Sequence, residues 1–213
     1  MPPLVSIVGR SGAGKTTLLE ALIPALARRG YRVAAIKHSS HGFDLDREGK
    51  DSYRLQKAGA NPVALAAPGQ FALLRQTEQE TDLVALRALL GDGFDLILAE
   101  GFSKARATKI EVHRHETGEL LCSAEELWAV VTDEPLPFPH LQFRWDEIEK
   151  LAELIETTYL KGREEEAELF ADGRPVALSP FVQEFISRTV RGMVSALRDV
   201  GDPHRLGIRL WKR

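Results

Sequence analysis

The sequence predicts an α/β fold, a mainly parallel sheet flanked by helices, and three observations predict it. An apolar run, Leu4-Val5-Ser6-Ile7-Val8, leads into Gly9-Arg10-Ser11-Gly12-Ala13-Gly14-Lys15-Thr16, which fits G-x-x-x-x-G-K-[ST] at every specified position. A helical pattern leads directly out of that segment. Further along, apolar strand-like runs alternate with helical periods, the order that builds βαβ units and a parallel sheet. Strand, phosphate-binding loop and helix in this succession define the P-loop NTPase-like class of α/β fold.

Each element has its own signal. Leu18, Leu19, Leu22, Ile23 and Leu26 share one face of a helix that runs from Thr17 and stops near Gly30. Pro24 lies inside it, lacks a backbone donor, and is expected to kink the helix or mark a local irregularity. Arg32-Val33-Ala34-Ala35-Ile36 is a second buried strand. Residues 37–49 have no period and read as a long loop rich in His, Ser, Asp and Gly. Lys50 to Ala58 is helical and ends at Gly59. Val63 to Ala66 and Phe71 to Leu74 form a hairpin across Pro68-Gly69, a turn dipeptide. Asp82 is placed to cap the helix that carries Leu83, Leu86, Leu89 and Leu90. Asp95 to Glu100 is an apolar strand ending in an acid, Lys109 to Val112 and Trp128 to Val131 are further strands, and Trp145 to Tyr159 is a helix.

The composition shifts at Lys161, which sets a nucleotide-binding domain over 1–160 and a small C-terminal α+β (ββαβ) unit over 161–213. A charged stretch, Lys161 to Glu168, opens this unit. Leu169 to Ser179 reads as a hairpin turning at Asp172-Gly173. Pro180 opens a helix whose Phe181, Phe185, Val190, Met193, Val194 and Leu197 can share a face, with Phe181, Phe185 and Trp211 read as core or interface residues. Leu206 to Trp211 is a final strand.

Composition narrows the function classes. A net charge of −3 with no basic tail gives no electrostatic case for nucleic-acid binding. The single cysteine, Cys122, excludes an intramolecular disulfide and a multi-cysteine metal site, and reads as a reduced, partly buried thiol. No run approaches the ~18–20 apolar residues of a membrane span, so a soluble cytoplasmic protein without a membrane partner is expected.

The chemistry concentrates at Gly9 to Thr17. Glycines let the backbone N–H groups close on phosphate oxygens, and the helix that follows adds its positive dipole end. Lys15 supplies a mobile charge for the outer phosphates, and the Thr16 hydroxyl can ligate a bridging Mg²⁺. A second acid is needed for that ion, and Glu100, at a strand end before Gly101, fits as a ligand of Mg²⁺ or water. Asp95, at the other end of the same strand, lies about 15 Å away and cannot share the ion. The loop Lys37 to Asp46 leaves the second strand on the same sheet edge. It reads as a nucleotide-sensing switch with Asp44 or Asp46 near Mg²⁺ or the attacking water, as a transition-metal site using His38 and His41, or as a polar surface loop. Asp133 ends a strand where guanine-specific P-loop proteins carry an Asn-Lys-x-Asp box, but the Asn and Lys are missing. It is either a base reader or a turn cap.

Several blocks recur in a telling order: Gly9 to Leu19, then Ile36-Lys37-His38, Asp44-x-Asp46-x-x-Gly49-Lys50-Asp51-Ser52-Tyr53, Ala58-Gly59-Ala60, Glu100-Gly101-Phe102 and Lys109-Ile110-Glu111-Val112. Over residues 4 to 160 the chain resembles the MobB family, GTP-binding accessory proteins of molybdenum-cofactor biosynthesis. The region around Pro180 to Gln183 and Gly192 to Val194 looks like an extension carried by only some members. The resemblance implies a homodimer, GTP with Mg²⁺, weak intrinsic hydrolysis, and a MobA-type nucleotidyltransferase as partner, with molybdopterin or molybdoenzymes as further ones. It puts phosphate binding on Gly9, Arg10, Ser11, Gly12, Ala13, Gly14, Lys15, Thr16 and Thr17, and the metal on Thr16 and Glu100. Lys15, Glu100 and, less strongly, Asp44 are its catalytic candidates. Ser103-Lys104 departs from the pattern, which puts a Lys directly after the aromatic residue. The hairpin at Pro68-Gly69 is the natural dimer contact, because exposed strand edges pair.

Three functions therefore stand side by side. One is a slow Mg²⁺-dependent GTPase acting as an adaptor, with Arg10 as a contributor in cis. Another is a P-loop small-molecule kinase, for which Lys104, Arg106 and Lys109 offer a sparse basic lid. The third is a metal-insertion GTPase using His38 and His41.

Overall fold

The computed structural model describes residues 2–39, 42, 49–137, 141–161, 167, 169–171, 174–198, 200, 206 and 208. The chain divides into two compact units, Met1–Ile155 and Glu156–Arg213. The first unit opens with β1 (Leu4–Val8), α1 (Lys15–Arg28) and β2 (Val33–Lys37), the βαβ unit anticipated around the phosphate loop. α2 (Asp51–Lys57), β3 (Val63–Ala67), β4 (Gln70–Leu74) and α3 (Leu83–Leu90) follow. β5 (Leu96–Glu100), β6 (Thr108–Val112), β7 (Leu127–Val131), β8 (Leu141–Phe143) and α4 (Ile148–Ile155) complete it.

Six strands form one sheet in the order β2-β5-β1-β6-β7-β8. Every neighbouring pair is parallel. β1 is therefore central, with β5 on one side and β6 on the other, and the phosphate loop leaves its carboxyl end. That is where a doubly covered parallel sheet opens a crevice for a ligand. All five residues of β5 are buried, as continuous apolar strands of such sheets are. α1 packs against α4. Leu18, Leu22 and Leu26 of α1, Leu151 and Ile155 of α4, and Ile7, Ile97 and Ile110 of the strands are all fully buried.

Pro24 does not break α1, which runs unbroken from Lys15 to Arg28. Pro24 and Glu20, whose carbonyl loses its helical donor, both lie on the exposed face, where water can take the bond. The helix ends as the sequence indicates, with Gly30 N–H donating to the Ala27 carbonyl and Tyr31 N–H to that of Leu26. Asp82 caps α3 by accepting from Ala85 N–H at 2.7 Å.

The hairpin stands as expected. β3 and β4 pair antiparallel, with Ala67 opposite Gln70 across Pro68-Gly69. They form their own two-stranded sheet, and Leu65, Phe71 and Leu73 on it are exposed. β8, three residues long, carries no periodicity that the sequence could reveal.

In the second unit, the helix expected to continue to Tyr159 becomes a π-helical turn over Glu156–Leu160. β9 (Leu169–Ala171) and β10 (Arg174–Val176) pair antiparallel, and α5 (Pro180–Ser195) follows, capped by Ser179 accepting from Val182 N–H. Phe181, Phe185, Met193 and Leu197 are exposed, so the two phenylalanines are not core residues. The turn Asp172-Gly173, most of the charged stretch 161–168, and Trp211 with most of the strand expected at 206–211 lie outside the described residues.

Candidate functional site

The loop from Gly9 to Gly14 is shaped by contacts that only glycine permits at two places. Gly9 has φ +139°, and a Cβ there would collide with the Val112 carbonyl of β6. Gly14, at the N-cap of α1 with φ +99°, would place a Cβ 2.7 Å from Trp145 Cη2. The backbone thus passes against a strand and an indole, leaving its other side to a ligand. Among the intrahelical bonds, Leu18 N–H reaches the Gly14 carbonyl. The N–H groups of Lys15, Thr16 and Thr17, one turn earlier, have no helical acceptor and point out of the helix start. Lys15 Nζ folds over the loop, donating to the carbonyls of Gly9 at 2.9 Å and Arg10 at 2.8 Å.

Thr16 and Glu100, 84 residues apart, meet here: Thr16 Oγ1 donates to Glu100 Oε2 at 2.9 Å. The first turn of α1 supplies one and the last residue of β5 the other. Glu100 is buried, and its strand end is pinned by His38 N–H on its carbonyl and by Gly101 N–H on the Ile7 carbonyl. A hydroxyl and a carboxylate side by side are hard oxygen donors, the set that Mg²⁺ takes alongside phosphate oxygens and water. The pair therefore fits that ion. Lys37 Nζ, at the head of the loop read as a switch, lies 3.2 Å from Glu100 Oε1. Asp95 sits at the far end of β5, where Oδ2 accepts from Arg32 N–H at 2.7 Å.

On the other flank, the segment after β6 borders the loop. Arg10 Nε donates to the Glu119 carbonyl at 2.7 Å, and Arg114 Nε to the Ala13 carbonyl at 3.2 Å. The Arg114 guanidinium lies over the Trp145 ring, 4.5 Å from its centroid, a cation–π contact. Trp145 Nε1–H is buried with no acceptor among the described residues. Asp133, at the exit of β7, accepts from His115 N–H at 3.0 Å and stands 3.9 Å from Arg114 Nη1. It holds a turn and remains beside the same arginine. Arg114 and Trp145 escape a sequence reading because their partners, Ala13 and Gly14, are more than a hundred residues away.

Behind this flank the Glu111 carboxylate is buried and accepts from Leu121 N–H at 2.5 Å and Cys122 N–H at 3.0 Å. Cys122 is buried beside it. Burial first, then the Glu111 charge, pushes its thiol above the ordinary value of 9.0.

One expectation changes here. Lys109 is not part of an exposed basic cluster: it is buried in β6 and paired with Glu126 at 2.7 Å. A central strand covered on both faces buries its polar positions too, and an ion pair is what makes that tolerable. Only Lys104 and Arg106 of the three are exposed. His38 Nε2 meets Glu80 Oε1 at 2.7 Å and its ring contacts Phe102 at 5.0 Å. Among the described residues no group of three or more His, Cys, Asp or Glu side chains could hold a metal ion. His41, Asp44 and Asp46 lie outside the described residues.

With this geometry in place, the likeness to known proteins is specific. Residues 4–133 match the MobB family, described as molybdopterin guanine dinucleotide synthesis protein B. The chain is 40% identical over 156 residues to the molybdopterin-guanine dinucleotide biosynthesis adapter protein of Haemophilus influenzae, covering 72% of this chain and 88% of that one. It is 40% identical over 161 residues to the protein of the same name from Escherichia coli, covering 73% and 92%. A crystal structure of molybdopterin-guanine biosynthesis protein B superposes with a TM-score of 0.58 at 35% identity, over 72% of this chain and 98% of that one.

Proposed function

The chain belongs to the MobB family, and on that premise we propose that it is a GTP-binding adapter in molybdenum-cofactor biosynthesis, working with a MobA-type nucleotidyltransferase. The observation that carries the nucleotide half is the meeting of Thr16 and Glu100 at the mouth of a P-loop that keeps every specified residue. Lys15 leaves the carbonyls of Gly9 and Arg10 for the outer phosphates, and the N–H groups of Lys15, Thr16 and Thr17 face the inner ones. Thr16 and Glu100 hold Mg²⁺, which when bound neutralises phosphate charge. At the base end, Asp133 accepts from the guanine edge, with Arg114 and Trp145 beside it.

Hydrolysis is slow in this reading. The Arg10 guanidinium is held on the Glu119 carbonyl, so the one arginine inside the loop is not aimed at a γ-phosphate. The product of such a site is a bound nucleotide, handed on with its partner rather than turned over rapidly. The protein acts in the cytoplasm as a homodimer joined through the β3–β4 hairpin, whose exposed Leu65, Phe71 and Leu73 call for a cover. The partner enzyme joins GMP to molybdopterin, so both molybdopterin and molybdoenzymes come within reach of the complex.

The decisive experiment is co-purification with a MobA-type transferase, with and without GTP and Mg²⁺, using the wild-type chain and Lys15→Ala. Association that rises with GTP·Mg²⁺ and is lost in Lys15→Ala supports the adapter. Nucleotide-independent association, or none, removes the GTP-gated adapter and leaves nucleotide binding to be judged by isothermal titration.

A further inference from the structure

Lys37 is the last residue of β2, and its parallel register partner on β5 is Glu100. Paired positions on neighbouring parallel strands project to the same face, here at the carboxyl edge of the sheet beside the first turn of α1. The ammonium group stands 3.2 Å from Glu100 Oε1 and 3.4 Å from Thr16 Oγ1. It therefore contacts both donors that suit a divalent cation. Glu100 has a side-chain exposure of 11%, and a carboxylate that buried requires a countercharge, which Lys37 supplies. Lys37 itself is 64% exposed, on a stem free to swing.

We propose that Lys37 is a nucleotide-state-sensing residue, its ammonium group covering the Thr16–Glu100 pair in the nucleotide-free protein and moving to the terminal phosphate of a bound nucleoside triphosphate. The inference rests on the reading of this site as one for a triphosphate with Mg²⁺. An ammonium and a divalent cation repel and compete for the same two oxygens, so Lys37 must yield them when the ion is held. Its Nζ already lies at the first turn of α1, 3.4 Å from Thr16 Oγ1, while Lys15 Nζ rests on the Gly9 and Arg10 carbonyls. Its exposed stem leaves it free to turn towards a γ-phosphate held by the loop. With a diphosphate the group has no such acceptor and returns to Glu100, where it opposes Mg²⁺. Lys37 thus weakens metal retention with a diphosphate and favours the triphosphate. It acts by charge.

The test titrates Mg²⁺ against full-length protein by calorimetry, with GDP and with a non-hydrolysable GTP analogue, in wild type, Lys37→Met, Lys37→Gln and Lys37→Arg. In Lys37→Met and Lys37→Gln the Mg²⁺ concentration for half-maximal GDP binding should fall, because the competing cation is gone. The preference for the triphosphate analogue over GDP should fall about tenfold, the loss of one charge-assisted contact. Lys37→Arg, which keeps the charge, should retain most of the preference. A merely structural lysine would not move these two quantities in this pattern. Unchanged Mg²⁺ dependence, or an unchanged triphosphate preference in both neutral variants, overturns the inference while leaving the nucleotide site intact. A wild-type protein that binds neither nucleotide refutes the nucleotide reading itself and the inference with it.

Discussion

Cys122 lies under the segment that flanks the phosphate loop, buried beside the Glu111 carboxylate. Both burial and that charge hold the proton on sulfur, raising the thiol above 9.0. The sign follows directly. Below 9.0 the contribution to stability is fully present; as pH rises towards and through the folded value the unfolded thiol ionises first, and the contribution is lost. The urea midpoint of the wild type should therefore slope downward with pH above 9.0, and Cys122→Ala should reduce that slope. Lys109 teaches the limits of reading residues one by one. Its type suggested a surface lid, yet its place in a strand with neighbours on both sides buries it against Glu126. Glu100 and Thr16 were legible because each sits at a motif's defined position, whereas Arg114 and Trp145 belong to no motif and act only through contacts made across the fold.

At the scale of elements, local signals were read well wherever the chain's own neighbours decide the outcome. Asp82 caps α3 because its side chain accepts from Ala85 N–H three residues on. Asp82→Ala should cost about 1 kcal/mol, measured by urea denaturation of otherwise identical proteins. Pro68-Gly69 closes the hairpin at the expected place. What the pattern could not show is that both strands stay outside the main sheet with Leu65, Phe71 and Leu73 uncovered. Phe71, 82% exposed, is the most open of these on the hairpin. In the proposed homodimer Phe71→Asp should shift the molecule to monomer by light scattering, while the urea stability of the monomeric unit changes little. An unchanged dimer would place the contact elsewhere. β8 was not legible, because three residues are too few to carry a period.

The whole molecule was legible as an α/β chain because strand and helix signals alternate, and β1 was identified at once by the loop that follows it. The strand order was not, since it depends on later strands returning to both sides of the first. The adapter proteins of Haemophilus influenzae and Escherichia coli align over 88% and 92% of their lengths with only 72% and 73% of this chain. A chain ending at Leu160 should accordingly fold and bind GTP with Mg²⁺ about as tightly as the full protein, as isothermal titration of the two would show. Loss of binding would assign the C-terminal unit a part in the site.

Trp145, packed against Gly14 and Arg114, has an optical consequence. The sequence holds three tryptophans, Trp128, Trp145 and Trp211. Replacing Trp128 and Trp211 with phenylalanine leaves one emitter, set against the backbone at Gly14. Its fluorescence should change saturably as GTP is added, and stay flat when Lys15→Ala is introduced. The protein would then report its own occupancy in real time, by the light of a single indole.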